Sequence, residues 1–335
     1  MNSPLVRVEN LQVMFAMRGG LVLPGKAPKM IHALDGISFD IQRGEILAMV
    51  GESGCGKTTL ARAILRLITP SAGKIFFNQR DITLLKGTSL RNLRRHMQMI
   101  FQDPYESLDP RQSIYELLEE PLLIHYPDIT QNDREVQVFK ALEASGLHPA
   151  REISARYPHH LSGGQRQRVA IAAAMILEPE FVVTDEPVSM LDVSIRAEIL
   201  KLMLDLRDLK NLTYLFITHD LSLAWMISDR IIVLYLGKIV EIGSTQDVIH
   251  HALHPYTRAL VSVIPLPQPG IQKQQIILEG DTPSPLDIPA GCRFLLRCWK
   301  WRQLNCPAVC KEKEPILQAY GCESHKVACH FAEGA

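Results

Sequence analysis

EILAMVGESGCGKTTLARAILRL, residues 45–67, decides how the rest of the chain reads. Ile46–Val50 is an unbroken apolar run of strand length. It stops at Gly51, and beyond Lys57 the apolar residues recur at helical spacing. Between the two lies Gly51-x4-Gly56-Lys57-Thr58, with Gly54 as a third glycine. Glycines let the backbone curl until its N–H groups converge, and a helix N-terminus adds partial positive charge. In a strand–loop–helix context this is the phosphate-binding pattern. Gly51, Glu52, Ser53, Gly54, Cys55, Gly56, Lys57, Thr58 and Thr59 are therefore expected around a bound ATP. Lys57 would reach the β- and γ-phosphates, the Thr58 hydroxyl would ligate Mg²⁺, and Cys55 would offer mainly its backbone N–H. A glycine-rich turn with a chance lysine is the plain alternative, and the rest of the chain decides between them.

Outward from this loop, apolar runs and helix-length segments alternate to about residue 264, the pattern of an α/β fold. Strands are expected at 46–50, 99–101, 181–184, 214–218, 230–234 and 238–241, and helices at 57–68, 163–177 and 194–210. Residues 113–157 read as mostly helical, which predicts an inserted helical subdomain at about 103–178. Residues 19–28 (GGLVLPGKAP) form a Gly/Pro-rich loop within the N-terminal strand region. IPLPQPGIQ, from Ile264, marks a linker. The expected domains are thus 1–264 and a smaller extension, 265–335.

Composition narrows the function. Lys plus Arg and Asp plus Glu are both 36, for a formal net charge of zero, and no Lys/Arg run stands out. A nucleic-acid partner is not expected from such a balance. At 47% hydrophobic and 21% charged the chain reads as an ordinary globular protein. The longest apolar stretch, 169–183, is interrupted by Glu178, Pro179 and Glu180, and MNSPLVRVENLQ lacks the apolar core of a signal peptide. The expectation is a protein made and kept in the cytoplasm.

Several further segments carry chemistry. FVVTDEP, 181–187, is an apolar strand ending in two carboxylates. Asp185 is placed to bind Mg²⁺, directly or through water, and Glu186 to hold the attacking water as general base. LSGGQRQR, 161–168, opens a helix with Ser162 as N-cap and two glycines. Taken alone it is a capped helix with a basic first turn. Gln102, in IFQDPYESLDP, and His219, in YLFITHD, each follow a strand. Alone, the first is a loop glutamine and the second an ordinary hydrogen-bonding histidine.

Their order resolves the ambiguity. The phosphate loop, Gln102, LSGGQ, Asp-Glu, Ser189-Met190-Leu191-Asp192 and His219 together resemble the ATP-binding cassette (ABC) family over about residues 5–263. The resemblance implies a P-loop core sheet, an antiparallel β subdomain and an inserted α-helical subdomain, with a small Cys-rich C-terminal extension. It also implies a head-to-tail ATPase dimer. Ser162, Gly163, Gly164 and Gln165 would act on the γ-phosphate bound by the other subunit. Gln102 would sense Mg²⁺ and the attacking water, His219 would steady the γ-phosphate and Glu186, and Asp192 would couple the two sites. Phe15 is the candidate for stacking on adenine, with His32 behind it.

Within that family, HALDGISFDIQRGE, FQDPYESLDPR, HPYTRALVSVIP and GCRFLLRC with a later VACH resemble the ATPase subunits of bacterial dipeptide/oligopeptide importers and their nickel-transporting relatives. This implies a second, non-identical ATPase, two transmembrane permeases, an extracytoplasmic solute-binding protein and a peripheral place on the cytoplasmic face of the membrane. The helical subdomain near Gln102 would receive the permeases' coupling helices. Nickel or oligosaccharide uptake, and a soluble ABC ATPase outside transport, are the alternatives. A single cassette without a heptad-rich insertion argues against the last.

Cys55 stands apart from the other cysteines, spaced Cys292-x5-Cys298-x7-Cys306-x3-Cys310-x11-Cys322-x6-Cys329. Dense cysteines in a reducing cytosol point to ligation rather than disulfides. Zinc sites favour closer pairs, and irregular wider spacing suits a [4Fe–4S] cluster. A tail of roughly 45 residues also has too little core to fold unaided. The resemblance maps a [4Fe–4S] cluster onto Cys292, Cys298, Cys306 and Cys329, with Cys310 or Cys322 able to replace Cys306. Zinc, or cysteines packed without metal, remain open.

Overall fold

The computed structural model describes residues 3–16, 30–264, 274–286 and 288–332, apart from the side chains of 105 and 106. The Gly/Pro-rich loop at 19–28 and most of the linker fall outside these residues. The chain divides into two compact units, one of residues 1–41, 46–83 and 217–335 and the other of 42–45 and 84–216.

The first unit opens with β1 (Val6–Ala16) and β2 (Met30–Ile41), which pair antiparallel. Val6, Val8, Leu11 and Val13 of β1 point inward between more exposed residues, the alternation of a strand with one buried face. A bulge at Asn10, whose φ is +46°, shifts the register between Val8 and Leu11. β3 (Ile46–Val50) is buried along its whole length, as a strand covered on both faces must be. β4 (Ala72–Phe77) and β5 (Arg80–Asp81) complete an antiparallel sheet of order β2-β1-β4-β5. The helix Lys57–Ile64 is shorter than the predicted 57–68, because Arg66 turns into the left-handed region at φ +54°.

In the second unit β6 (Met97–Ile100) runs parallel to β7 (Phe181–Asp185). Helices Ile114–His125, Gln131–Ala144 and Ala150–Ser154 lie in the stretch 113–157 that reads as mostly helical. The helix Gly163–Met175 packs with them around Leu118, Leu122, Val138, Leu142, Leu161 and Val169, all buried. Ser113 and Thr130 cap two of these helices from their side chains, as their sequence positions require. The wholly buried β8 (Thr213–Thr218) leads back into the first unit.

There β9 (Arg230–Tyr235) pairs parallel with β3 and antiparallel with β10 (Lys238–Ser244). The β9–β10 turn is the two-residue loop Leu236-Gly237, both at positive φ, the geometry that matches strand twist. The extension adds β11 (Gln318–Tyr320) and β12 (Cys322–Val327), continuing the sheet as β11-β12-β10-β9-β3. Phe294, 1% exposed, sits in one core with Val50, Val233, Tyr235 and Tyr256. The extension's described residues therefore share the first unit's core and sheet. No helix among the described residues is long and apolar enough to cross a membrane.

Candidate nucleotide site

The phosphate-binding loop leaves β3 at Gly51 and enters its helix at Gly56. A side chain at Gly51 would lie 2.3 Å from the Leu234 carbonyl oxygen. Gly56 takes φ +110° and would set a Cβ 2.5 Å from the Ala33 carbonyl oxygen. Both glycines are thus required by close backbone approach, and at Gly56 also by the left-handed backbone. Lys57 is buried, and its ammonium donates to the carbonyl oxygens of Gly51 at 2.7 Å and Glu52 at 3.0 Å. Ser53 and Gly54 are exposed, Thr58 and Thr59 half-buried. Cys55 is buried, and burial pushes its thiol up against the pull of Lys57.

Glu52, expected with its neighbours around a bound ATP, is held by three distant residues. Its N–H donates to the Tyr256 hydroxyl at 3.0 Å. Its carboxylate accepts from Arg297 Nη1 at 2.7 Å and from the Thr282 hydroxyl. Nothing local in the sequence marks these partners.

Phe15 lies on β1, 43% exposed and opposite Ile31, while His32 faces Met14 across the same pair of strands. His219 is exposed just past the end of β8.

The second unit carries the acidic pair. Asp185 ends β7 and is buried. Glu186 follows at φ +48°, a left-handed turn that directs its side chain away from the strand. Gln102 Nε2 donates to Glu186 Oε2 at 3.2 Å, although 84 residues separate them in sequence. Thr184, buried with its hydroxyl unpartnered, occupies a strand position where aliphatic residues are commoner.

Ser162 caps the Gly163–Met175 helix through a reciprocal pair. Its Oγ accepts from Gln165 N at 3.3 Å, and its N–H donates to Gln165 Oε1 at 3.0 Å. A Cβ on Gly164 would come 2.8 Å from Ile195 Cγ2, so this glycine packs the cap against the helix Val193–Lys210. Asp192 precedes that helix, exposed, with no side-chain cap bond. A cleft of about 800 Å³ in this unit is lined by Tyr126, Val136, Lys140 and Glu178 among others, and by none of the predicted site residues.

The cysteine assignment changes. Cys292, Cys298 and Cys329 line one small apolar cavity of about 20 Å³, and its fourth thiol is Cys310. Cys306, read as the third ligand, is exposed and outside it. The reason is the turn at Asn305 and Cys306, both at positive φ, after which Val309–Glu312 returns as a helical turn with Cys310 buried on its inner side. Burial pushes the Cys292 thiol up to about 12 and the Cys298 thiol up to about 11, with neighbouring thiols adding to the rise. Four soft donors on one cavity suit a thiolate-held centre in kind. In position they do not: among the described residues no group of three or more Cys, His, Asp or Glu is arranged to hold a metal ion.

Fold and site together define a cassette ATPase. Residues 34–189 match the ABC transporter family, and residues 240–306 match the oligopeptide/dipeptide transporter C-terminal region. The chain is 41% identical over 328 residues, 98% of its length and 97% of the relative's, to the dipeptide transport ATP-binding protein DppF of Haemophilus influenzae. It is 52% identical over 268 residues, 80% of this chain and 84% of the relative, to a putative peptide import ATP-binding protein of Brucella ovis. The dimeric post-hydrolysis structure of the ATP-binding cassette MJ0796, bound to ADP and Pi, superposes with a TM-score of 0.63 at 28% identity, over 72% of this chain and 98% of that one. This chain belongs to the ABC transporter family and is an ATPase of the group that holds the dipeptide and oligopeptide transport ATP-binding proteins.

Proposed function

We propose that the chain is the ATP-hydrolysing subunit of a bacterial dipeptide/oligopeptide importer. The observation that carries this reading is full-length similarity to peptide-transport ATPases, continuing through the C-terminal region at 240–306. The motor acts from residues 1–264, with the helical insertion at about 103–178 and the extension at 265–335. It works on the membrane's cytoplasmic face as one half of a head-to-tail dimer with a second, non-identical ATPase. Two permeases stand above the pair, fed by an extracytoplasmic binding protein, and their coupling helices dock on the helical subdomain near Gln102.

Backbone N–H groups of Gly51–Thr59 take the phosphates and Lys57 moves onto the β- and γ-oxygens. Glu186 accepts a proton from the water that attacks the γ-phosphorus. The bond to the bridging oxygen breaks, giving ADP and phosphate. Gln102, already bonded to the Glu186 carboxylate, orients that water. His219 holds the γ-phosphate, Phe15 the adenine, and Asp192 links the two sites. Ser162, Gly163, Gly164 and Gln165 complete the partner's site. Thr58, Gln102 and Asp185 offer hard oxygen donors suited to Mg²⁺, which when bound offsets phosphate charge.

The extension is proposed to hold a [4Fe–4S] cluster on Cys292, Cys298 and Cys329 with Cys310 as the fourth thiol of their shared cavity, and the four would have to close around it, since the described residues are not arranged to hold a metal ion. Protein purified anaerobically should then contain about four iron atoms per chain; iron-free protein, or stoichiometric zinc, removes the cluster. For the function itself, deleting this gene should abolish uptake of labelled dipeptide, and tagged protein should copurify with two permeases. Intact peptide uptake with lost nickel or oligosaccharide uptake would overturn the peptide assignment.

A further inference from the structure

Glu52 is the one carboxylate within the loop Gly51–Thr59. A free anion there opposes an incoming triphosphate and competes with it for the Lys57 ammonium. The structure engages that anion from the C-terminal extension. Arg297 Nη1 donates to Glu52 Oε2 at 2.7 Å, and the Thr282 hydroxyl donates to the same oxygen. Arg297 also reaches Thr282 Oγ1 at 3.4 Å. The Arg297 side chain is 9% exposed and that of Glu52 27%, so the pair is shielded from full solvent screening. Lys57, by contrast, bonds only main-chain oxygens of Gly51 and Glu52 among the oxygen acceptors of the described residues.

The geometry is rigid at both ends. Arg297 closes the short turn Leu295–Arg297, whose backbone is tied by Leu295 N to Cys292 O at 3.1 Å and Cys298 N to Leu295 O at 3.2 Å. Phe294, just before it, is fixed in the core against Tyr256. Tyr256 in turn accepts the Glu52 N–H. Burial alone would raise the Glu52 carboxyl, yet the bonds from Arg297 and Thr282 hold it below the ordinary carboxylate range, so it stays ionised and needs its cation.

We infer that Arg297 is a positioning residue for nucleotide binding: it holds the Glu52 carboxylate away from Lys57 and the phosphates, and so makes the C-terminal extension part of the ATP site of its own chain. The inference rests on reading Gly51–Thr58 as the nucleotide loop, and the experiment separates the two.

Equilibrium ATP binding by the full chain, read by displacement of a fluorescent ATP analogue, is compared with KM and kcat for ATP in the assembled transporter. Arg297→Gln should weaken ATP binding about tenfold, as loss of a hydrogen-bonded charge partner does, with the loss in KM rather than kcat. Adding Glu52→Gln to Arg297→Gln should recover most of that loss, since the unpaired anion is then gone. A purely structural arginine would show no such rescue. Thr282→Val should weaken binding about threefold, the share of a neutral donor. Wild-type binding by Arg297→Gln overturns the inference, as does a double variant as weak as the single one, provided Lys57→Ala loses ATP. If Lys57→Ala also binds normally, the loop assignment itself has failed. Should Arg297→Gln not fold, Arg297→Lys carries the test: it keeps the charge but gives up the fork. A rise of about threefold in KM is then expected, and no rise refutes the proposal.

Discussion

Glu186 is held in a backbone conformation unusual for a glutamate. Its φ of +48° lets the residue after a buried strand leave the strand's line, and the Gln102 amide meets its carboxylate there. On the proposed mechanism this carboxylate faces the attacking water. Glu186→Gln keeps the shape and removes the proposed base, so ATP should bind as before while hydrolysis falls by about a hundredfold or more. A phosphate-release assay under saturating ATP measures it, and turnover at the wild-type rate would take the role of base from Glu186. Gly51 and Gly56 are legible in the sequence as the curl of a phosphate loop, and the structure adds a second reason, since any Cβ there strikes main-chain oxygen.

At the scale of elements, local pattern located strands such as Ile46–Val50 and Phe181–Asp185 and helices such as Gly163–Met175, and left their ends to tertiary contact. β6 runs 97–100 where 99–101 was expected, because its register follows the pairing of Met97 with Phe181. β11 and β12 were not legible, since Gln318–Tyr320 and Cys322–Val327 are mostly polar and exposed and pair as an edge. The extension is anchored instead by Phe294, whose ring lies 5.2 Å from that of Tyr235 and 5.4 Å from that of Tyr256. Phe294→Ala should cost about 3–5 kcal/mol, read as a lowered urea midpoint. A change of under about 1 kcal/mol would mean that the extension packs independently of this cluster.

For the molecule as a whole, acid stability carries a signature. Burial holds His254 down to about 4 from its ordinary 6.5, against the pull of Glu241. Its neutral Nδ1 accepts the Tyr256 N–H at 3.1 Å, capping the helix Pro255–Ser262. The unfolded chain takes up this proton as pH falls below 6.5, while the native state resists until about 4. Stability contributed by the neutral ring is therefore complete above 6.5 and lost as pH falls through that window, in total on the order of 3 kcal/mol. Urea titrations at about pH 7 and about pH 4.5 should show a smaller drop for His254→Asn, which keeps an acceptor for Tyr256 N–H. An equal drop would place the acid sensitivity elsewhere.

The phosphate loop, the LSGGQ cap and the Asp-Glu strand end were determined by sequence alone, because each is a short run whose chemistry depends on neighbouring backbone. Their assembly was not. Gln102 meets Glu186 across 84 residues, and Arg297 meets Glu52 across 245. The fourth thiol beside Cys292, Cys298 and Cys329 became Cys310 rather than Cys306. Such pairings are settled by which faces the packed core turns toward one another, and a turn at positive φ, as at Cys306, can move a side chain from cavity to solvent.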